Sequence, residues 1–288
     1  MKKTKCWIEA MRLRTLPVSL AGVCAAWGLA LAHGSYRVLP GVLCLVFAVL
    51  AQIASNFANE YYDYTSGRDK RGRSGPRRGV TEGDITPQAM LRATLITLGC
   101  ACCVGLSLVA WSGWWLLAVG LFIAVGVFAY STGPYPLSTH GWGEVAVIFF
   151  FGLVPVPMTF YLMTGAMTPE SLMMGAALGL MGANVLIINN YRDCEEDRGV
   201  GKLTLAVCWG AASMPWLYGF NMTAAAMLTL AASGDGRWAW VPTLIYVFPC
   251  IKIIREMGRR RGAQLTPLLG ATALSMFAYS IALIICSL

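Results

Sequence analysis

Nine apolar stretches recur along this chain, each nearly free of charge and about as long as a helix needs to cross a bilayer, about 20 residues. They fall at 15–33, 38–58, 89–111, 114–131, 144–163, 170–189, 211–232, 239–255 and 265–287. In hydrocarbon every backbone N–H and C=O must be satisfied without water, which leaves helices or closed barrels as the spanning structures. Stretches this long and this apolar read as helices rather than as alternating strands. The expected fold class is therefore all-α, a polytopic membrane protein of nine transmembrane helices, taken as a single domain over residues 1–288.

Charge usage agrees. Only 12% of the residues are charged and 57% are hydrophobic, where a soluble domain carries about 25% charged residues. The start, MKKTKCWIEAMRLRT, is basic, but the apolar stretch after it is long enough to span, so it reads as a first helix rather than a cleaved leader. The ten cysteines form no CxxC pair, and most lie within apolar stretches as small packing residues. Of the 22 Lys and Arg residues, all except Arg37 and Arg237 collect on one side of a nine-span arrangement. The positive-inside rule makes that side cytoplasmic, with the N-terminus inside and the C-terminus outside. The net charge of +8 follows from this asymmetry. It favours anionic lipid heads and does not call for nucleic acid.

Two acidic strings interrupt the apolar pattern on that same side: NEYYDYTSGRD from Asn59 and NNYRDCEEDRGVGKLT from Asn189. Carboxylates at a membrane rim are costly and mark functional sites. Asn59 and Asp63 are four residues apart, as are Asn189 and Asp193, and Asp193 and Asp197, so on helices each set shares a face. Glu195 and Glu196 point away from that face and read as solvated. Hard oxygen ligands in small number suit Mg2+, which takes one or two carboxylates and completes its shell with water and substrate phosphate. Nearby cations, Arg73, Arg77, Arg78 and Lys202, suit the free oxygens of a diphosphate. Either string alone reads equally well as solvated acids beside basic loops. The matched spacing on one membrane side favours a shared site. The polar stretch 61–87 is long for a helix connection and reads as a lid, with TEGDITPQ opening the next helix. The equivalent placement of the two strings hints at two related halves, about 1–140 and 141–288.

NFANEYYDYTSGRD and NNYRDCEEDRGVGKLTLAV resemble the two aspartate-rich motifs of the UbiA superfamily of intramembrane prenyltransferases. RSGPRRGVTEGDIT and YSTGPYPLSTHGWGEVAVIFFFG are similar to the branch that prenylates 1,4-dihydroxy-2-naphthoate. The resemblance runs from about residue 8 to 285. Glu60 stands where the family usually has aspartate. The fourth-to-fifth connection carries no Lys or Arg, with His140 its only titratable base.

The resemblance implies a UbiA-type bundle of nine helices with a cytoplasmic-side active site, in a bacterial inner membrane. It implies Mg2+-dependent transfer of a polyprenyl chain from polyprenyl diphosphate to dihydroxynaphthoate. CO2 and diphosphate are lost, giving demethylmenaquinone. Asn59, Asp63, Asn189, Asp193 and Asp197 are the expected metal ligands, with Glu60 a further candidate. Arg73, Arg77, Arg78 and Lys202 are the expected diphosphate contacts. Asp63, Asp193, Asp197 and Tyr130 are the expected catalytic set, with the Tyr130 ring facing the allylic cation. Two other readings stay open. One is a UbiA-type enzyme with another acceptor, such as 4-hydroxybenzoate. The other is a secondary transporter of an anionic solute, although transporter sites lie near the membrane midplane.

Overall fold

The computed structural model describes residues 3–69, 71, 75–233 and 239–288, and the described residues form helices joined by turns. The helices are α1 (Lys3–Met11), α2 (Leu16–His33), α3 (Val38–Thr65), α4 (Pro87–Ser107), α5 (Val109–Ser112), α6 (Leu116–Ala129) and α7 (Gly143–Ile148). They continue as α8 (Pro155–Thr164), α9 (Pro169–Gly199), α10 (Leu205–Cys208), α11 (Met214–Ala232), α12 (Trp240–Arg259) and α13 (Thr266–Ser287).

Six helical runs are long and apolar enough to cross a membrane: Thr4–His33, Val38–Thr65, Pro87–Ser112, Gly143–Thr164, Pro169–Gly199 and Gly262–Ser287. The apolar run Leu116–Ala129 is shorter. Helices α11 and α12 have the length, but Asn221 in one and Lys252, Arg255, Glu256 and Arg259 in the other dilute their apolar character.

Helix starts follow local chemistry. Thr86 caps α4, accepting from Ala89 N at 3.3 Å, and Pro87 follows at the first helical position, as TEGDITPQ predicts. Thr168 and Ser171 form a reciprocal capping box ahead of α9, again with proline next. The apolar stretch expected at 144–163 is one helical run, Gly143–Thr164, but not a regular one. A π-helical turn, Phe149–Leu153, separates α7 from α8. Pro155 has no N–H to give and its ring crowds the carbonyl four residues back, so the regular ladder fails there.

Helix α9 is the axis of the fold. It packs against α2, α7, α8, α11, α13 and the π-turn. Its crossing with the π-turn is made by glycines: a Cβ on Gly152 would lie 2.2 Å from Gly175 O and 2.3 Å from Gly179 N. Small residues let helix backbones touch where lipid supplies no hydrophobic drive for association. On the other side, Asn184 donates to Tyr218 O and Tyr246 Oη, and Tyr218 meets Thr272 at 3.0 Å, binding α9, α11, α12 and α13 through polar contacts. Helices α3 and α4 form the other close pair. A sharp turn at Gly113, in a backbone conformation (φ 87°) open to glycine, leads the chain toward α6. Yet α4 lies chiefly on α3, not on α6.

Candidate active site

Both acidic strings are helical, because neither contains glycine or proline before its end. Helix α3 runs on past its apolar stretch to Thr65, and α9 runs to Gly199. Asn59 and Asp63 therefore stand one turn apart on α3, as do Asn189, Asp193 and Asp197 on α9. All five line one cavity of about 570 Å³, together with Arg77, Arg78, Tyr130, Arg192 and Lys202. Glu195 and Glu196 are exposed, as their positions predict.

A single ammonium links the two helix ends. Lys202 Nζ lies 3.9 Å from Asp63 Oδ2 and 3.8 Å from Asp197 Oδ1. The turn after α9 makes this possible: Gly201 takes φ 74° and Lys202 N donates to Asp197 O at 2.9 Å. The end of α3 closes similarly. Arg68 N and Asp69 N donate to Asp63 O at 3.0 and 3.1 Å around Gly67. Arg68 then reaches Asp63 Oδ1 at 3.8 Å and donates to Ser131 O at 3.0 Å.

Burial makes these charges matter. Asp63 and Asp193 are each 3% exposed. A buried carboxylate persists only with compensating charge and hydrogen bonds. Arg78, itself 7% exposed, sits 3.3 Å from Asp69, 3.7 Å from Asp63 and 4.0 Å from Glu60. Arg192 holds Asp193 with two of its nitrogens, Nε at 2.6 Å and Nη2 at 2.8 Å, and Nη2 also donates to Asn189 Oδ1 at 2.8 Å.

Other expected residues fall differently. Glu60 is not a cavity residue. Its Oε1 accepts from Val80 N at 3.0 Å and anchors the 75–86 loop onto α3. Arg77 lines the cavity wall, but its guanidinium is paired with Asp84, whose carboxyl it holds below the usual range through that hydrogen bond. Arg73 lies outside the described residues. His140 turns its ring toward Pro136 O and stacks on Tyr135 with centroids 3.9 Å apart, and it does not line the cavity.

Three cavity residues escape the motif reading. Arg192 reads from sequence as one more cytoplasmic charge. Arg12 is, among the described residues, the one non-glycine with positive φ (51°). Its corner is pinned where Asn56 Nδ2 donates to Met11 O at 2.9 Å and Thr15 Oγ1 to Arg12 O at 2.9 Å. Such strain clusters at ligand-holding positions. Glu144 is buried at the start of α7, and its signal in the sequence is a lone acid just inside an apolar run.

A second cavity, of about 380 Å³, adjoins the first and is almost wholly apolar in lining. Gln52, Ser55, Tyr130, Val147 and Phe151 belong to both walls. The polar chamber thus shares part of its wall with a greasy one bounded by α3, α4, α6, α7 and α8.

Among the described residues, no three His, Cys, Asp or Glu side chains converge as a self-sufficient metal site. What faces the cavity is a sparse set of carboxylate and amide oxygens. That set suits a hard ion that brings water and phosphate oxygens with it, such as Mg2+. Asp63 Oδ1, buried and without a hydrogen-bond partner among the described residues, is an available acceptor on that wall.

Helices α3 and α9 thus bring carboxylate and amide side chains to one polar cavity that adjoins an apolar one, in a bundle of membrane-length helices. The chain belongs to the UbiA prenyltransferase family, whose model matches residues 21–284. The 1,4-dihydroxy-2-naphthoate octaprenyltransferase of Escherichia coli K12 is 38% identical over 216 residues, covering 73% of this chain and 70% of that protein. The enzyme of the same name from Mycobacterium leprae is 35% identical over 277 residues, covering 96% and 94%. Solved UbiA homologues share the fold. One from Aeropyrum pernix K1 superposes with TM-score 0.70 at 16% identity, covering 91% of this chain and 96% of its own. One from Archaeoglobus fulgidus, bound to GPP and Mg2+, superposes with TM-score 0.66 at 16% identity, covering 95% and 99%.

Proposed function

We propose that this protein transfers a polyprenyl group from polyprenyl diphosphate to 1,4-dihydroxy-2-naphthoate, releasing CO2 and diphosphate. The product is demethylmenaquinone at the quinol level. The observation that carries this reading is the junction of the two cavities. A diphosphate head needs oxygen ligands and cations, and a polyisoprenoid tail needs apolar walls. Here the two chambers adjoin, with Gln52, Ser55, Tyr130, Val147 and Phe151 common to both walls.

Breaking an allylic C–O bond requires stabilising the charge that builds on the leaving diphosphate. Mg2+, when bound, would supply that stabilisation as a Lewis acid, held by Asn59, Asp63, Asn189, Asp193 and Asp197. Lys202 and Arg78 are placed to follow the leaving group, since both already face Asp63 across the cavity. Arg77 and, by its place in the sequence, Arg73 are the further expected diphosphate contacts. Arg192 keeps Asp193 and Asn189 in fixed rotamers and is a positioning residue. Tyr130, on both cavity walls, presents its ring where an allylic cation forms. The apolar chamber keeps water from that cation. Arg12, held in its left-handed corner, offers a cation to the acceptor's carboxylate.

The same reading gives nine transmembrane helices, adding α6, α11 and α12 to the six runs, in one domain with two pseudo-related halves. Basic residues then place the N-terminus and the active site on the cytoplasmic face of a bacterial inner membrane, with surrounding lipid as solvent for the donor's tail. The test is an acceptor competition. Membranes containing the protein, given Mg2+ and a polyprenyl diphosphate, are expected to prenylate dihydroxynaphthoate and not equimolar 4-hydroxybenzoate, read by mass spectrometry. Prenylated hydroxybenzoate as the main product would overturn the acceptor assignment.

A further inference from the structure

Glu144 is a buried acid with no part in holding the donor. It is 4% exposed and lines the polar cavity. Asn190 Nδ2 donates to its Oε1 at 2.7 Å. Its Oε2 is buried with no hydrogen-bond partner among the described residues. Asp63, Asp193, Asp197 and Glu60 each face an arginine or lysine, whereas no ion pair among the described residues involves Glu144. Leaving a buried acceptor unsatisfied is costly, so such a group persists where something else meets it. Its position is informative too. Val147, one turn further along α7, and Tyr130 line both cavities, so Glu144 stands where the polar chamber meets the apolar one. Asn190 comes from the second acidic string but has no place among its metal-facing residues. Its bond to Glu144 gives it a use.

We propose that Glu144 is the proton acceptor for the 1-hydroxyl of the naphthoate, and later returns that proton. The inference rests on the acceptor named above. As the prenyl C–O bond breaks, its electron pair leaves with diphosphate. Ring electrons form the new bond from the carboxylated carbon to the prenyl carbon. The neighbouring 1-hydroxyl becomes a carbonyl, and its proton passes to Glu144. The ring is now a β-keto carboxylate. Its carbon–carboxyl bond breaks, CO2 departs, and the bonding electrons settle on the 1-oxygen as an enolate. That oxygen takes the proton back from Glu144. The sequence ends at the quinol with no outside oxidant or net proton.

Positioned proton transfer contributes about 10²- to 10⁴-fold to rate. Glu144→Gln is therefore expected to lower kcat by about 100-fold or more while the KM for prenyl diphosphate changes by less than about threefold. Ring-fluorinated naphthoates, whose hydroxyl is more acidic, are expected to recover much of that loss in Glu144→Gln and to change the wild type little. Glu144→Asp, which keeps the base at shorter reach, is expected to fall between the two and secures the test if the glutamine variant does not fold. Near wild-type activity in Glu144→Gln, or equal losses with fluorinated and ordinary acceptors, would overturn the proposal. A wild type that makes no prenylated naphthoate would instead defeat the underlying functional reading.

Discussion

Asp63→Asn is expected to remove turnover, by about 10²- to 10³-fold, from a protein that still folds and inserts. The magnitude is that of deleting one preorganised electrostatic contact to developing charge. The change keeps the side chain's size and removes one negative charge. Its three cationic neighbours retain support without it. Arg78 keeps Asp69 and Glu60, Lys202 keeps Asp197, and Arg68 keeps its bond to Ser131 O. What the variant loses is the anionic ligand that faces the second helix end. Diphosphate release by the purified protein, alongside its thermal unfolding in detergent, measures both halves of the expectation. Full activity in Asp63→Asn would remove this residue from the site. The matching change at Asp193 is expected to cost stability as well, because Arg192 is buried and holds that carboxylate with two hydrogen bonds.

The largest expected effect on the fold comes from Gly152. Even an alanine there would push its Cβ against Gly175 O and Gly179 N, both within 2.3 Å and both backbone atoms. Overpacking with movable side chains costs about 1–3 kcal/mol. Here the obstacle is the axis helix itself, so Gly152→Val is expected to exceed that range and leave little folded protein. Gly99, whose Cβ would meet nothing within 4 Å, is the control, and Gly99→Val is expected to be recovered at wild-type levels. Detergent-extracted monodisperse protein in size-exclusion chromatography reads the difference. Equal recovery of both variants would mean that the close crossing does not hold the bundle together.

The part of this fold legible in sequence is the part governed by local pattern. Apolar length gave the spanning helices, and the four-residue spacing of Asn59 and Asp63, and of Asn189, Asp193 and Asp197, placed each set on one helix face. Facing one cavity followed from tertiary packing that spacing alone does not encode. The helices overran their apolar stretches because the acidic strings contain no glycine or proline until Gly67 and Gly199, near which they stop. Proline positions warned of a break near 155, but a π-turn rather than a simple kink is a matter of how Phe149–Leu153 settles against α9. The site's cations were the least legible. Nothing in sequence separates Arg192, which clamps an aspartate, from Arg77, which pairs with Asp84. Glu60 looks like a ligand by motif, and its bond from Val80 N, which anchors the following loop, is invisible in sequence. Arg12 and Glu144 gain meaning only from the cavity they share, which is assembled from segments far apart in the chain.

One measurement bears most directly on the idea that both acid-bearing helix ends act together on a metal-bound diphosphate. Purified protein is incubated with a polyprenyl diphosphate and dihydroxynaphthoate, first with EDTA and then with Mg2+ restored in excess. Prenylated quinol and diphosphate are expected in equal amounts, absent under EDTA and returning with Mg2+. Product formed at the same rate in EDTA as in Mg2+ would contradict the account.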